Sequence, residues 1–420
     1  MHSCIDYALE QNITIRKNRV TAESTQIDVK TAKAALFPSL SFSTSQQVVN
    51  RPYQETSSRV SGSEIISSNS KTSYNGNYGL NASWTIYNGS KRLKTLKQER
   101  LNNQIAELDV ATSENTIKES IAQIYIQILY AAESVRVNEN TLQVSIAQRD
   151  RGQELLNAGS IAKSDLAQLE AQVSTDRYQL VTAQATLQDY KLQLKQLLEL
   201  DGENEMNVYL PKLSDENVLA PLPAKKDVYV SALAIRPEIE ASKLNVEASE
   251  LGIDIAKSSY FPTISLSAGI GTNHTSGSDF TFGEQVKNGW NNSIGLSVSV
   301  PIFNNRQTKS AVQKAKLQRE TNMLSLLDEQ KALYKTIESL WLDANSAQQR
   351  YAAANEKLRS TQISYDLISE QFNLGMKNTV ELLTEKNNLL QAQQEQLQAK
   401  YMAILNTQLL KFYQGDKLTL

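Results

Sequence analysis

Few residues of this chain have the type and spacing that chemistry would need. Its histidines are His2 and His274, at the terminus and in a polar loop, and no Ser/His/Asp set or His-Glu-x-x-His spacing accompanies them. Cys4 is the single cysteine, which excludes an internal disulfide and a multi-thiolate metal site; it reads as a small buried residue near the start of a helix. Gly269-Ile270-Gly271 lacks the third glycine and the following helix of a dinucleotide loop. What remains is a pair of acids, Asp165 and Glu381, each following a glycine, Gly159 or Gly375, at the same distance. By repeat symmetry the two acids occupy equivalent places, so the chemistry on offer is electrostatic. Each acid would also complement the dipole of a helix beginning beside it, and the two roles can coexist. No catalysis, cofactor or metal is expected.

The elements that position these acids are written twice. Gly159 aligns with Gly375, and Asp165-Leu166 with Glu381-Leu382, at a shift of 216 residues. At that same shift Gly79-Leu80-Asn81-Ala82-Ser83 and Ile86-Tyr87-Asn88 recur as Gly295-Leu296-Ser297-Val298-Ser299 and Ile302-Phe303-Asn304. Nearer the start, Leu36-Phe37-Pro38-Ser39-Leu40-Ser41 recurs as Tyr260-Phe261-Pro262-Thr263-Ile264-Ser265 at a shift of 224. Residues 201–228, with Asp201-Gly202, Pro211, Pro221 and Pro223, break every periodicity and read as a connector. The division is a first repeat at 1–200, the connector at 201–228, a second repeat at 229–410 and a tail at 411–420. Each repeat reads as helix, strand, polar loop, strand, very long helix, turn, long helix.

The 420 residues are 40% hydrophobic and 21% charged with a net charge of -2, a balance that asks for no nucleic acid. Apolar stretches such as Ile124–Ala132, interrupted by Gln127, fall well short of the roughly 20 residues an α-helix needs to cross a bilayer. Any crossing belongs to strands. No basic-then-apolar export signal is present, and Met1-His2-Ser3 is unlike a lipoprotein cleavage box, so either a leader has been removed or the protein stays in the cytoplasm.

Residues 78–86 alternate Tyr78, Leu80, Ala82, Trp84 and Ile86 with Gly79, Asn81, Ser83 and Thr85, and residues 294–302 repeat the pattern. Leu40, Phe42 and Thr44 and then Ile264, Leu266, Ala268 and Ile270 do the same after each Phe-Pro pair. Alternation alone fits a soluble sheet equally well. The Ser, Thr, Asn and Gly of the other face suit a wet lumen, and the loops at 49–77 and 272–291 are rich in the same types, as external barrel loops are. Four strands cannot close a barrel, so copies must share one: two would fill the interior and three would leave a passage.

From about Lys91 to Leu156 nothing interrupts a helix that would be roughly 100 Å long. Its seam, Ile117, Ile121, Ile124, Ile128, Ala131, Val135, Asn138, Leu142, steps by four and three, as does Leu333 to Phe372 in the second repeat, which means a left-handed coiled coil. The return helix carries Leu166, Leu169, Val173, Asp176, Leu180, Ala183, Leu187, Tyr190, Leu194 and Leu197 as its seam. With a helix over 5–36 stacked on it, the two short helices match the long one, as staves of a tube would. A soluble coiled-coil scaffold or tether explains the heptads equally well but leaves the strands without a purpose.

Over essentially the whole chain the residues resemble the TolC family of outer-membrane efflux and secretion ducts. The carriers are the duplication, Ala8-Leu9-Glu10-Gln11-Asn12 with its counterpart Ala234-Ile235-Arg236-Pro237-Glu238, the two Phe-Pro strand openings, and the turns Gly159 to Leu166 and Gly375 to Leu382. The resemblance implies a mixed α and β membrane protein: a homotrimer with a twelve-strand barrel in outer-membrane lipid of a Gram-negative bacterium and a periplasmic α-helical barrel. It further implies hairpin tips that dock on a periplasmic adaptor, an inner-membrane pump reached through it, and a belt from residues 201–228 and the tail after Lys411. The docking turns would be Gly159, Ser160, Ile161, Ala162, Gly375, Met376, Asn378 and Thr379. The periplasmic gate would be Asp165, Glu381, Lys377, Ser164, Phe372 and Thr384, with Lys377 linking to Asp165 of a neighbouring hairpin. Phe372, Lys377 and Thr384 depart from the family's usual tyrosine, arginine and second acid, which implies fewer contacts in the closed state.

Overall fold

The computed structural model describes residues 1–53, 57–61, 64–68, 71–201, 207–211, 218–278 and 280–418. Connector residues 202–206 and 212–217, loop residues 54–56, 62–63, 69–70 and 279, and tail residues 419–420 lie outside the described residues. The elements in order are α1 (His2–Gln11), α2 (Ile13–Ala34), β1 (Ser39–Asn50), β2 (Ser57–Ser61), β3 (Glu64–Ser68), β4 (Thr72–Asn88), α3 (Lys91–Asn157), α4 (Lys163–Leu197), α5 (Lys225–Ile235), α6 (Pro237–Ser258), β5 (Thr263–Thr275), α7 (Phe282–Asn288), β6 (Asn291–Ser299), α8 (Gln307–Asn373) and α9 (Thr379–Gln414).

The helix expected over 5–36 is two helices. Asn12 is extended, with φ of -60° and ψ of 127°, and its Oδ1 accepts the N–H groups of Thr14 and Ile15, so it ends α1 and caps α2. The second repeat breaks at Arg236, with φ of -73° and ψ of 124°, because Pro237 excludes the helical region for the residue before it and then opens α6. Two boundaries also move. α5 starts at Lys225 inside the connector, and α9 runs to Gln414 past the expected end at 410.

Two compact units divide the chain: Met1–Ala22, Ile105–Lys243 and Leu324–Leu420 form one, and Glu23–Gln104 with Leu244–Met323 form the other. Each draws on both sequence repeats.

The second unit holds an antiparallel sheet in the order β1-β4-β5-β6. Its strands run further than alternation suggested. β4 begins at Thr72 and β5 ends at Thr275, inside the expected loops, because Asn75, Gly76 and Asn77 find ladder partners on both sides despite poor strand propensity. β2 pairs with β3 within the first loop, and α7 occupies part of the second. β6 closes at Ser299, short of the expected 302, since Pro301 has no N–H to give a ladder.

Register gathers the apolar residues on one face. Leu40, Ala82, Ala268 and Ile294 form one row across the strands, and Trp84, Leu266 and Leu296 form another. Ser39, Ser83, Ser267 and Gly295 make a polar row on the opposite face, followed by Ser41, Asn81, Gly269 and Ser293. Among the described residues the apolar rows meet no core: Leu40 is 70% exposed and Ile294 78%.

The first unit is helical. The middle of α3 is buried on two faces, Ile121 and Ile128 against Ile5, Ala8, Ile15 and Leu194, and Ala122, Tyr125 and Leu129 against Tyr351, Tyr401 and Leu405. A heptad seam alone predicts one buried stripe. The second stripe is what a helix with neighbours on both sides requires.

Candidate functional site

The helices of the first unit form two hairpins, α3 to α4 and α8 to α9, whose turns hold the expected site. Both turns are built alike. Gly159 has φ of +76° and Gly375 +74°, and the two N–H groups that follow each helix reach back: Ser160 to Leu155 O at 2.8 Å, Met376 to Gln371 O at 2.8 Å. This is the Schellman closure, which needs a left-handed residue at the glycine. A Cβ at either glycine would meet nothing within 4 Å, so the backbone angle and not space demands glycine.

The next helix starts four residues after the glycine in each hairpin, placing Asp165 and Glu381 at the third position of α4 and α9. There the two differ. Asp165 Oδ2 accepts the Ala162 N–H at 3.0 Å, and Ala162 offers no side-chain cap in return. Glu381 accepts the Asn378 N–H while Asn378 Oδ1 accepts the Glu381 N–H at 2.9 Å, a complete capping box. Lys377 Nζ also donates to Glu381 Oε1 at 2.5 Å. That ammonium, with the Asn378 N–H, holds the Glu381 carboxyl below the usual carboxylate range.

The expected gate is thus only partly assembled in one chain. Lys377 engages the acid of its own hairpin, and Asp165 caps its own helix. Ser164 is exposed beside Asp165. Phe372 is 2% exposed and packs with Leu169 and Leu382 in the apolar core joining the hairpins, a heptad position filled as heptad positions usually are. Thr384 Oγ1 turns back to Val380 O at 2.7 Å. Among the docking turns, Ser160, Ala162, Asn378 and Met376 lie toward solvent or part-exposed, Ile161 is half-buried, and Thr379 is buried. The second tip is the more apolar, with Leu374, Met376 and Val380 exposed.

Two polar clusters escaped the sequence. Lys386 on α9 donates to Asp176 Oδ2 on α4 and to Ser145 Oγ on α3, Ser145 Oγ donates to Asp176 Oδ2, and Gln172 Nε2 donates to Asp176 Oδ1 at 2.9 Å. Lys386, Asp176 and Ser145 are 3%, 2% and 2% exposed. Burial pulls the Lys386 ammonium below the usual lysine range and the bond to Asp176 opposes it. A visible signal existed: Asp176 and Lys386 are opposite charges, each on a heptad seam. Arg236 is the second centre, donating to Glu119 Oε1 at 2.6 Å and lying 3.6 Å over the Tyr413 ring. Burial, then Glu119, pushes the Tyr413 hydroxyl up to about 12.

Comparison with known proteins returns one family. A family model described as outer membrane efflux protein matches residues 4–199 and 228–415. Outer membrane efflux protein BepC of Brucella suis is 26% identical over 294 residues, 70% of this chain and 61% of that protein. Outer membrane protein TolC of Escherichia coli is 25% identical over 341 residues, 78% of this chain and 66% of its own length. The chain therefore spans just under two thirds of either relative. The crystal structure of CusC superposes with a TM-score of 0.84 at 19% identity, covering 99% of this chain and 92% of that one, so the fold is shared.

Proposed function

This chain belongs to the outer membrane efflux protein family, and from that premise we propose that it is one subunit of an exit duct for an efflux or type I secretion system. Its strands lie in the outer membrane of a Gram-negative bacterium and its helices in the periplasm. The observation that carries this reading is the sheet: among the described residues β1 and β6 each pair on one side, and the apolar rows of one face have no core against them. In lipid such edges must be closed by other strands, and such a face is solvated by acyl chains. Three copies close twelve strands around a polar lumen lined by the serine rows. A soluble scaffold would leave the same face in water, where a patch of that extent drives association.

The duct is passive. The hairpin tips dock on a periplasmic adaptor, the second tip through exposed Leu374, Met376 and Val380, and the inner-membrane pump acts through that adaptor. Asp165 and Glu381 ring the mouth, with Lys377 neutralising part of the charge at Glu381. The described parts of the connector and the tail support a common belt, since Val218 and Leu418 are buried in one cluster.

The test is biochemical. The full chain should partition to outer membranes, need detergent, run as a heat-resistant trimer and carry ion current across planar lipid. A water-soluble monomer without current would overturn the reading.

A further inference from the structure

We propose that the second external loop is a lipid anchor: α7 and its flanks lie on the lipid side of the sheet, at the outer end of the apolar band, and not over the outer mouth. Phe280, Phe282 and Trp290 are then seated among the headgroups of the outer leaflet. The inference rests on the duct reading above.

Strand parity places the helix. Phe282 meets the rings of Tyr78 at 6.5 Å and His274 at 5.1 Å, and Thr272 Oγ1 donates to Val286 O at 2.7 Å. Tyr78 pairs with Thr272 across the ladder, and both, like His274, are in phase with Leu80 and Ile270 of the apolar face and out of phase with Gly79 and Gly271. Contact with Tyr78 carries Phe282 across β5 toward β4, away from the β6 edge at which another copy would pair. A helix of seven residues does not persist alone in water, so these contacts hold it. Local bonds complete the arrangement: Thr281 and Glu284 form a capping box, and Gln285 Oε1 accepts the Thr275 N–H at 2.8 Å.

Depth agrees with parity. Phe261 to Ile270 covers about 30 Å of extended chain at about 3.3 Å per residue, which a strand tilt of about 40° reduces to about 23 Å, close to the height of the apolar band in such barrels. Exposed aromatic residues mark both limits of that band, Phe37, Tyr260 and Phe261 at one end and Phe280, Phe282 and Trp290 at the other. The last three are 49%, 55% and 57% exposed, and Lys287 in the last turn of α7 is exposed beside them. Large rings at the rim of an apolar surface favour the boundary between acyl chains and headgroups, where an ammonium also meets lipid phosphate.

The experiment uses the full chain with Cys4→Ser and one new cysteine at a time, Phe280→Cys or Leu296→Cys, spin-labelled and reconstituted in phosphatidylcholine vesicles. Access of molecular oxygen, which gathers in lipid, is compared with access of an aqueous nickel chelate. The label at 280 is expected to favour oxygen over the chelate, at a shallower depth than the label at 296. A label at 280 open to the chelate and poor in oxygen would overturn the anchor. Exclusion of both reagents would overturn it too, by placing α7 against another copy. Lipid at 296 with water at 280 refutes the anchor alone, whereas water at both positions refutes the duct and takes the anchor with it. As a second readout, Phe280→Ser with Trp290→Ser is expected to leave the single-channel current in planar lipid unchanged. A larger current would show that the loop covers the mouth, which also overturns the proposal.

Discussion

Asn12 and Arg236 occupy the same place in the two repeats, each the single extended residue between two helices, with ψ of 127° and 124°. Asn12 satisfies the break locally, capping α2 and donating from Nδ2 to Leu197 O at 3.1 Å. Arg236 satisfies it at long range, through Glu119 on α3 and the Tyr413 ring on α9. Replacement should separate the two solutions. Asn12→Ala removes a cap and should cost about 1 kcal/mol. Arg236→Met leaves Glu119 without its buried partner and should cost about 3 kcal/mol. Melting of the helical signal should follow that order, and equal losses would show that the ion cluster adds no more than a cap.

Gly159→Ala and Gly375→Ala force a side chain into left-handed backbone at about 1–2 kcal/mol each, without a clash. If the tips dock as proposed, bulkier replacements should leave the assembly intact and abolish adaptor-dependent transport by occupying the docking surface. Normal drug resistance in such variants would remove the tips from the docking site.

Glu381 has a folded pKa below its ordinary 4.5, owing first to Lys377 and then to the Asn378 N–H. A depressed carboxylate contributes stability above its unfolded pKa and loses it as pH falls through the folded one. Amides of Thr379–Leu383 should therefore lose exchange protection on acidification below pH 4.5, and Glu381→Gln should flatten that dependence. Protection that falls equally in the variant would place the acid sensitivity elsewhere.

Lys377→Ala bares Glu381 and adds net negative charge at each second-hairpin tip. The reversal potential in a salt gradient should move toward the cation limit. No movement would mean that these tips lie outside the narrowest part of the conducting path.

Leu296 and Ser297 are neighbours on opposite faces of β6. On the proposed duct, Leu296→Lys places a charge toward lipid and should cost about 2–4 kcal/mol near mid-depth, whereas Ser297→Lys lies toward the lumen and should be tolerated. Outer-membrane yield of heat-resistant trimer distinguishes them, and equal yields would contradict the assignment of faces.

Periodicity determined much of this protein. The duplication, the two 67-residue helices, the alternating strands and the glycine turns with their acids are all local signals, since heptads, period-two patterns and left-handed glycines are properties of short stretches of chain. Tertiary structure alone decided three things. Strand ends depend on partners: Asn75 to Asn77 look like loop until β1 and β5 pair with them. The site of Phe372 depends on Leu169 and Leu382 arriving from two other helices, so a residue expected at an opening is core. Lys386 and Asp176 stand 210 residues apart and become a buried pair only when two hairpins pack, because the attraction between charges depends on their separation in space and on the water removed around them.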